Sequence, residues 1–167
     1  MEKSGFFNSA GGDRVYDATD FAGYFGALAS DGVFFQSPLN LKVLPGNGVA
    51  LSVSPGGAWI KGYFYENTTP LELPLDTSHG VHPRIDRVVV RLSIPERRIY
   101  LAVKTGSPAA EPLPPDLTRT SDIHELALAD VNIPRAAVSL AASNITDQRL
   151  NQSLCGLVNS LVSAVYE

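Results

Sequence analysis

The sequence predicts an α+β fold that is mainly β: an antiparallel β-sandwich or barrel-like sheet with an N-terminal helix and a C-terminal helix. Three observations carry this. Residues 87–94 and 97–104 alternate apolar and polar side chains on either side of Pro95-Glu96, the period of two that marks a half-buried strand. Between residues 39 and 75, short apolar runs are punctuated by Pro, Gly and Asn, the chemistry of tight turns. Near both ends, at residues 17–29 and 150–165, apolar side chains recur three and four residues apart, as one face of a helix requires.

Residues 1–16 read as an extended N-terminal arm, rich in Gly, Asn, Ser and aromatics without a sustained period. Phe6, Phe7 and Tyr16 are costly to leave in water, since burying one large apolar side chain is worth about 1.5–3 kcal/mol. The arm is therefore expected to pack, with a neighbouring subunit favoured over its own domain. A β-rich domain spans residues 17–149. Asp17 or Thr19 can cap a helix through Ala29, with Phe21, Tyr24, Phe25 and Leu28 on its core-facing side and Asp31-Gly32 ending it.

Residues 39–43 and 49–53 read as a hairpin around Pro45-Gly46-Asn47-Gly48. After Ser54-Pro55-Gly56-Gly57, residues 58–65 read as one aromatic strand, and residues 71–75, with Pro74 among them, as an edge strand. Residues 106–115 contain four prolines and read as an extended surface loop. Residues 122–130 fit a short helix, because Glu125 follows Asp122 at capping-box spacing. Residues 150–167 read as an amphipathic helix and candidate oligomerisation element, with Leu150, Leu154, Leu157, Leu161 and Val165 near a 4-3-4 alternation. That pattern still runs where the sequence stops, as in a domain leading into a longer, fibre-like protein.

A chain of 167 residues with 44% hydrophobic content suits one ordinary domain with a real core. Its net charge of −4 comes from 13 basic and 17 acidic residues without a block of like charge, which points to neither nucleic acid nor an anionic membrane as partner. The single cysteine, Cys155, excludes an intramolecular disulfide and fits assembly in a reducing cytoplasm. No apolar leader and no run of membrane-spanning length is found, so membrane insertion is not expected.

Sites of chemistry are sparse. His79 and His82, with Asp76 and Asp86 nearby, are the best metal candidates, but a Gly between them and a following Pro83 read as a polar loop. Asp13, Asp17 and Asp20 lack the glycine and terminal Glu of a calcium loop and are better explained as helix caps. Cys155 lies in an apolar helical setting that keeps it inert, no nucleophile elbow is present, and Gly11-Gly12-Asp13-Arg14 is not a phosphate loop. The expectation is a protein without catalytic residues, cofactor or metal. On the strand at 58–65, Trp59, Tyr63 and Tyr65 would share one face, as a packing surface, a subunit contact or a platform for a sugar ring. Arg87, Arg91, Arg98 and Lys104 would share the outer face of the later hairpin, solvated, paired with carboxylates across the sheet, or docked on a neighbour.

Several short motifs occur in a fixed order: Ser4-Gly5-Phe6-Phe7-Asn8-Ser9, Gly12-Asp13-Arg14-Val15-Tyr16, Asp20-Phe21-Ala22-Gly23-Tyr24-Phe25 and Gly62-Tyr63-Phe64-Tyr65. They continue with Pro83-Arg84-Ile85-Asp86-Arg87-Val88-Val89-Val90-Arg91 and Asn151-Gln152-Ser153-Leu154-Cys155-Gly156. Together these resemble the N-terminal module of tailed-bacteriophage (or prophage) tail and baseplate proteins, with a shortened turn at Pro95-Glu96 as a departure. The resemblance implies a non-enzymatic virion component, assembled in the bacterial host cytoplasm and placed near the host-recognition apparatus. Its expected partners are further copies of itself, three as a first expectation, and other tail or baseplate proteins. The expected contacts are Phe6, Phe7, Tyr16, Leu150, Leu154, Leu157, Leu161 and Val165. The alternative is a carbohydrate-binding module that meets host surface glycan through Trp59, Tyr63 and Tyr65.

Overall fold

In the computed structural model, which describes residue 2 and residues 4–162, the helix expected near the N-terminus comes first as α1, Ala18–Leu28. Then come β1 (Gly32–Val33), β2 (Val43–Pro45), β3 (Ala50–Val53), β4 (Gly56–Ile60), β5 (Tyr63–Asn67) and β6 (Leu71–Pro74). The long strands are β7 (Arg84–Ser93), β8 (Arg98–Lys104) and β9 (Ile123–Ile133), and a 3-10 turn at Ala142–Asn144 leads into β10 (Ile145–Asp147). These make three antiparallel sheets, ordered β1-β4-β5, β2-β3-β6 and β10-β9-β7-β8. One apolar core joins them, with Leu41, Leu51, Ile60, Val88, Val90, Leu126 and Leu128 fully or almost fully buried. The mainly β, antiparallel expectation holds.

Asp17 is the residue that caps α1. Its carboxylate accepts the N–H groups of Thr19 at 2.8 Å and Asp20 at 3.1 Å, while Asp20 returns a bond from the Asp17 N–H. The far end differs from expectation, because Ala29 closes the helix in an extended conformation. Gly32 is instead needed in β1, at φ +154°, where a side chain would lie 2.5 Å from the Leu157 backbone. Of the helix side chains only Ala22 is buried, so the stripe of Phe21, Tyr24, Phe25 and Leu28 does not face the core. The arm does not regularise either, and Phe6 folds back onto the rings of Phe21 and Tyr24 in its own chain.

The expected hairpin of β7 and β8 forms, but β7 is central and buried on both faces. Its partner β9 occupies the stretch that capping-box spacing assigned to a short helix. Ten residue pairs with β7 outweigh a local signal of that size, and Glu125 spends its carboxylate across the sheet. A bulge between Val88 and Val89 leaves Leu128 without a partner in the register and brings Arg87 opposite Asp130 as well as Arg91 opposite Glu125. Arg87 then makes two bonds to Asp130 at 2.6 and 3.0 Å, and Arg91 and Lys104 both reach Glu125 at 2.7 Å. The basic face is therefore paired across the sheet, apart from Arg98, which pairs with Glu96 at the surface.

The bulge also organises the C-terminal segment. The Leu128 carbonyl accepts the Gln148 N–H at 2.9 Å, and the Ala127 N–H donates to Leu154 at 3.0 Å. One turn follows, closed on the Asn151 carbonyl and stopped by Gly156 at φ +84°. Residues 150–162 therefore do not form the expected amphipathic helix, and Val165 lies outside the described residues. The chain instead runs along β1, where Val33 donates to Gly156 at 3.0 Å and accepts from Val158 at 3.1 Å. A second correction concerns residues 58–65, which are two strands: Lys61 and Gly62, at φ +51° and +78°, make a two-residue hairpin turn between β4 and β5.

Glu125 is fully buried, with the Thr118 N–H at 2.6 Å as a third donor. Burial alone would push its carboxyl up, but the bonds from Lys104, Thr118 and Arg91 outweigh it and hold the group below its ordinary value of 4.5. Below that value the unfolded chain binds the proton more readily than the folded one, so this contribution to stability is present at neutral pH and is lost as pH falls. Glu125→Gln is expected to cost about 3–5 kcal/mol in urea unfolding at neutral pH, the usual penalty for breaking a buried pair. The variant should also lose less stability than the parent between about pH 5 and pH 3. Parallel pH profiles would contradict the assignment.

Candidate functional site

The outer surface of the β1-β4-β5 sheet and the helix above it carry a continuous run of aromatic rings. Gly62 makes the approach possible, because a side chain there would collide with the Ala22 backbone of α1. With α1 seated on the β4–β5 turn, Phe25 meets Trp59 edge-on at 5.7 Å between ring centroids, and Trp59 meets Phe34 at 6.2 Å and Phe64 at 6.3 Å. The run continues along the helix through Tyr24 to Phe6, at 5.7 and 5.0 Å, and ends where Phe6 stacks on Tyr16 at 5.5 Å. Such edge and offset arrangements are the favourable ones for aromatic quadrupoles.

Most of these rings remain wet, with Trp59 and Phe34 half-buried among them. Phe21, Tyr24, Phe25 and Phe64 are 46%, 49%, 40% and 57% exposed, and Phe6, Phe7 and Phe35 are exposed as well. Contiguous apolar surface of this kind is a mark of interaction sites. Covering it would return about 25 cal/mol for every Å² of apolar area removed from water. The arm's ring contacts with the helix are made by Phe6 alone, on Phe21 and Tyr24, whereas the Phe7 N–H bond to the Tyr16 hydroxyl at 2.8 Å and Arg14 over the Phe7 ring lie within the arm itself.

The structure gathers some of the expected site residues and separates others. Phe6 and Tyr16 stand in the aromatic run. Leu150 is exposed, Leu154 and Leu157 are half-buried, and Leu161 is exposed with its N–H on the Leu28 carbonyl, so these four do not form one stripe. Trp59, Tyr63 and Tyr65 do not share a face. The turn at Lys61-Gly62 sets Trp59 opposite Phe64 on the outside, while Tyr63 and Tyr65 lie opposite Ile60 and Ala58 and pack on the core. Phe34 and Phe35 lie in none of the sequence motifs, and Phe64, though part of Gly62-Tyr63-Phe64-Tyr65, is not among the expected contacts. The Lys61-Gly62 dipeptide is the signal that would have placed Phe64 beside Trp59.

The other chemical candidates are engaged locally. His79 accepts the N–H groups of Val81 and His82 through Nδ1 and stacks on the His82 ring at 5.8 Å, whereas Asp86 takes Arg84 and Asp76 takes Thr105. Among the described residues, no group of three or more His, Cys, Asp or Glu side chains is placed to hold a metal ion. Asp13 closes the arm's turn on the Ala10 N–H. Cys155 is buried in the turn before Gly156, and burial pushes its thiol up to about 12. Among the described residues no helix is long and apolar enough to cross a membrane.

The seat of α1 on Gly62 is the contact that assembles the face. Gly62→Ala should lower stability by at least about 2 kcal/mol, from the left-handed backbone and the displaced helix together, and should alter Trp59 fluorescence as Phe25 withdraws. Gly11→Ala, at φ +70° with open space around it, should cost only about 1 kcal/mol and leave Trp59 unchanged. Equal costs and unchanged fluorescence would contradict this packing. No family model, no curated protein and no solved structure matches the chain.

Proposed function

We propose that the chain is a non-enzymatic structural component of a bacteriophage tail or baseplate, an assembly or adaptor module near the host-recognition apparatus. The aromatic face is the observation that carries this reading, since it offers a preformed apolar surface on a scaffold whose charged groups are largely satisfied within the chain. The ordered motifs of the sequence supply the phage-tail context. In this role the protein works by shape and hydrophobic complementarity: Phe25, Trp59, Phe34 and Phe64 take a neighbouring tail protein, and the weakly held arm around Phe6 is free to add to that contact. Further copies of the same chain are a second class of partner, with three as the working stoichiometry.

The carbohydrate-binding alternative loses the platform that suggested it, because Tyr63 and Tyr65 pack on the core while Trp59 faces outward. A sugar-array screen in which Trp59→Ala abolishes binding would restore it.

Antibodies against the chain should label purified particles of the parent phage at the distal end of the tail in immunogold electron microscopy. Particles that carry no label, from lysates in which the protein is plainly present, would overturn the assignment to the virion.

A further inference from the structure

An open cleft of about 490 Å3 lies between β5 and the turn that joins β7 to β8. Leu92, Ile94 and Ile99 line it, Phe64 forms a wall, and Arg97 and Arg98 stand at the rim beside the first turn of α1. Its size is in the range of clefts that take specific ligands, roughly 300–1,000 Å3. Arg98 is already held, bonded to Glu96 and stacked 4.1 Å over the Tyr100 ring. The Arg97 guanidinium is different: among the described residues it has no hydrogen-bond or ion-pair partner. The cleft is thus an apolar socket with an uncompensated positive charge at its edge.

The same chain carries a knob of opposite charge. In the proline-rich loop Leu113 is 81% exposed, far more than an ordinary surface leucine requires, and it stands between Glu111 and Asp116. Neither of those carboxylates has an ion-pair partner among the described residues. The loop is not left free to collapse over its leucine. Ala109 donates to the Pro83 carbonyl at 3.1 Å, Arg87 to the Pro115 carbonyl at 2.8 Å and Lys104 to the Asp116 carbonyl at 2.6 Å. Pro112, Pro114 and Pro115 restrict what lies between those anchors, so little entropy remains to be lost when Leu113 docks.

Knob and socket cannot meet within one copy. The loop leaves the sheet at the Lys104 end of β8, whereas the socket lies at the Arg98 end, about 20 Å away at the strand rise of roughly 3.3 Å per residue. We propose that the 111–116 loop of one copy seats Leu113 in the cleft of a second copy, with its carboxylates facing Arg97. The contact is head-to-tail, so it generates a ring where the rotation closes and a filament where it does not. It deepens the assembly reading and rests on it, and it assigns contacts between like copies to a cleft that borders the aromatic face at Phe64.

The test is sedimentation of the full chain over a concentration series beside Leu113→Glu and Arg97→Glu, both exposed positions at which the fold should be kept, as circular dichroism can verify. The parent is expected to associate beyond the dimer, and each variant to need at least tenfold more protein to do so. An equimolar mixture of the two variants retains one sound knob and one sound socket, and should form a dimer that grows no further. Association of both variants at the parent's concentrations would overturn the knob and socket while leaving a self-assembling protein in place. A parent that stays monomeric throughout would also overturn it, and tail labelling by immunogold would then decide the assembly reading separately.

Discussion

The fold depends on cations that are anchored by carboxylates on strands and spend their remaining donors on the carbonyl groups of loops. Arg84 is fixed by Asp86 and donates to Asp76 and Thr77; Arg87 is fixed by Asp130 and donates to Pro115. Lys104 is fixed by Glu125 and donates to Asp116, while Arg149 is fixed by Asp147 and donates to Pro38 and Asn40. Arg119 adds a related tie, from the Glu125 carbonyl to those of Ser153 and Leu154. A guanidinium suits this work because its planar fork holds a carboxylate on one edge and leaves further N–H groups for a second partner. Long segments without ladders of their own are thereby satisfied at the backbone, as buried or half-buried loops must be.

This arrangement has a cost. Asp86 and Glu125 are fully buried and Arg84 nearly so, and ions out of water are stabilising only where their remaining bonds are met. Here they are met by loops, so sheet and loops stabilise one another. The β7–β9 bulge belongs to the same system, for it faces Arg87 with Asp130 and frees the backbone groups that take Gln148 and Leu154. A scaffold held in this way can present apolar rings on one side and, on another, a leucine-tipped loop whose Pro115 and Asp116 carbonyls complete the ion pairs of the sheet.

Legibility in the sequence followed how local each cause was. The helix cap, open between Asp17 and Thr19 in the sequence, the β2–β3 turn and the β7–β8 hairpin rest on neighbouring residues, and each was readable. The strand β9 was not, since the spacing of Asp122 and Glu125 is a helix signal until β7 supplies partners for all of β9 but Leu128. The C-terminal segment failed for a similar reason. Leucines at 150, 154, 157 and 161 keep helical spacing, but the groups that hold the chain there lie at Ala127, Leu128 and Val33, far away in sequence. The aromatic face is half visible in the sequence: its rings along α1 form a stripe at helical spacing, which by itself points to the core. What placed them at the surface is Gly62, whose missing side chain admits α1 only through Ala22, and whose turn reverses the parity that had put Tyr63 and Tyr65 beside Trp59.

Hydrogen exchange read by mass spectrometry, comparing the parent with Asp130→Asn, addresses the staple most directly. That change removes the charge fixing Arg87 at almost constant volume. If strand-anchored cations hold the loops, amides in residues 105–118 should exchange faster in the variant while β7 and β9 keep their protection near the centre of the sheet. Unchanged exchange in that loop, with Arg87 deprived of its carboxylate, would contradict the account.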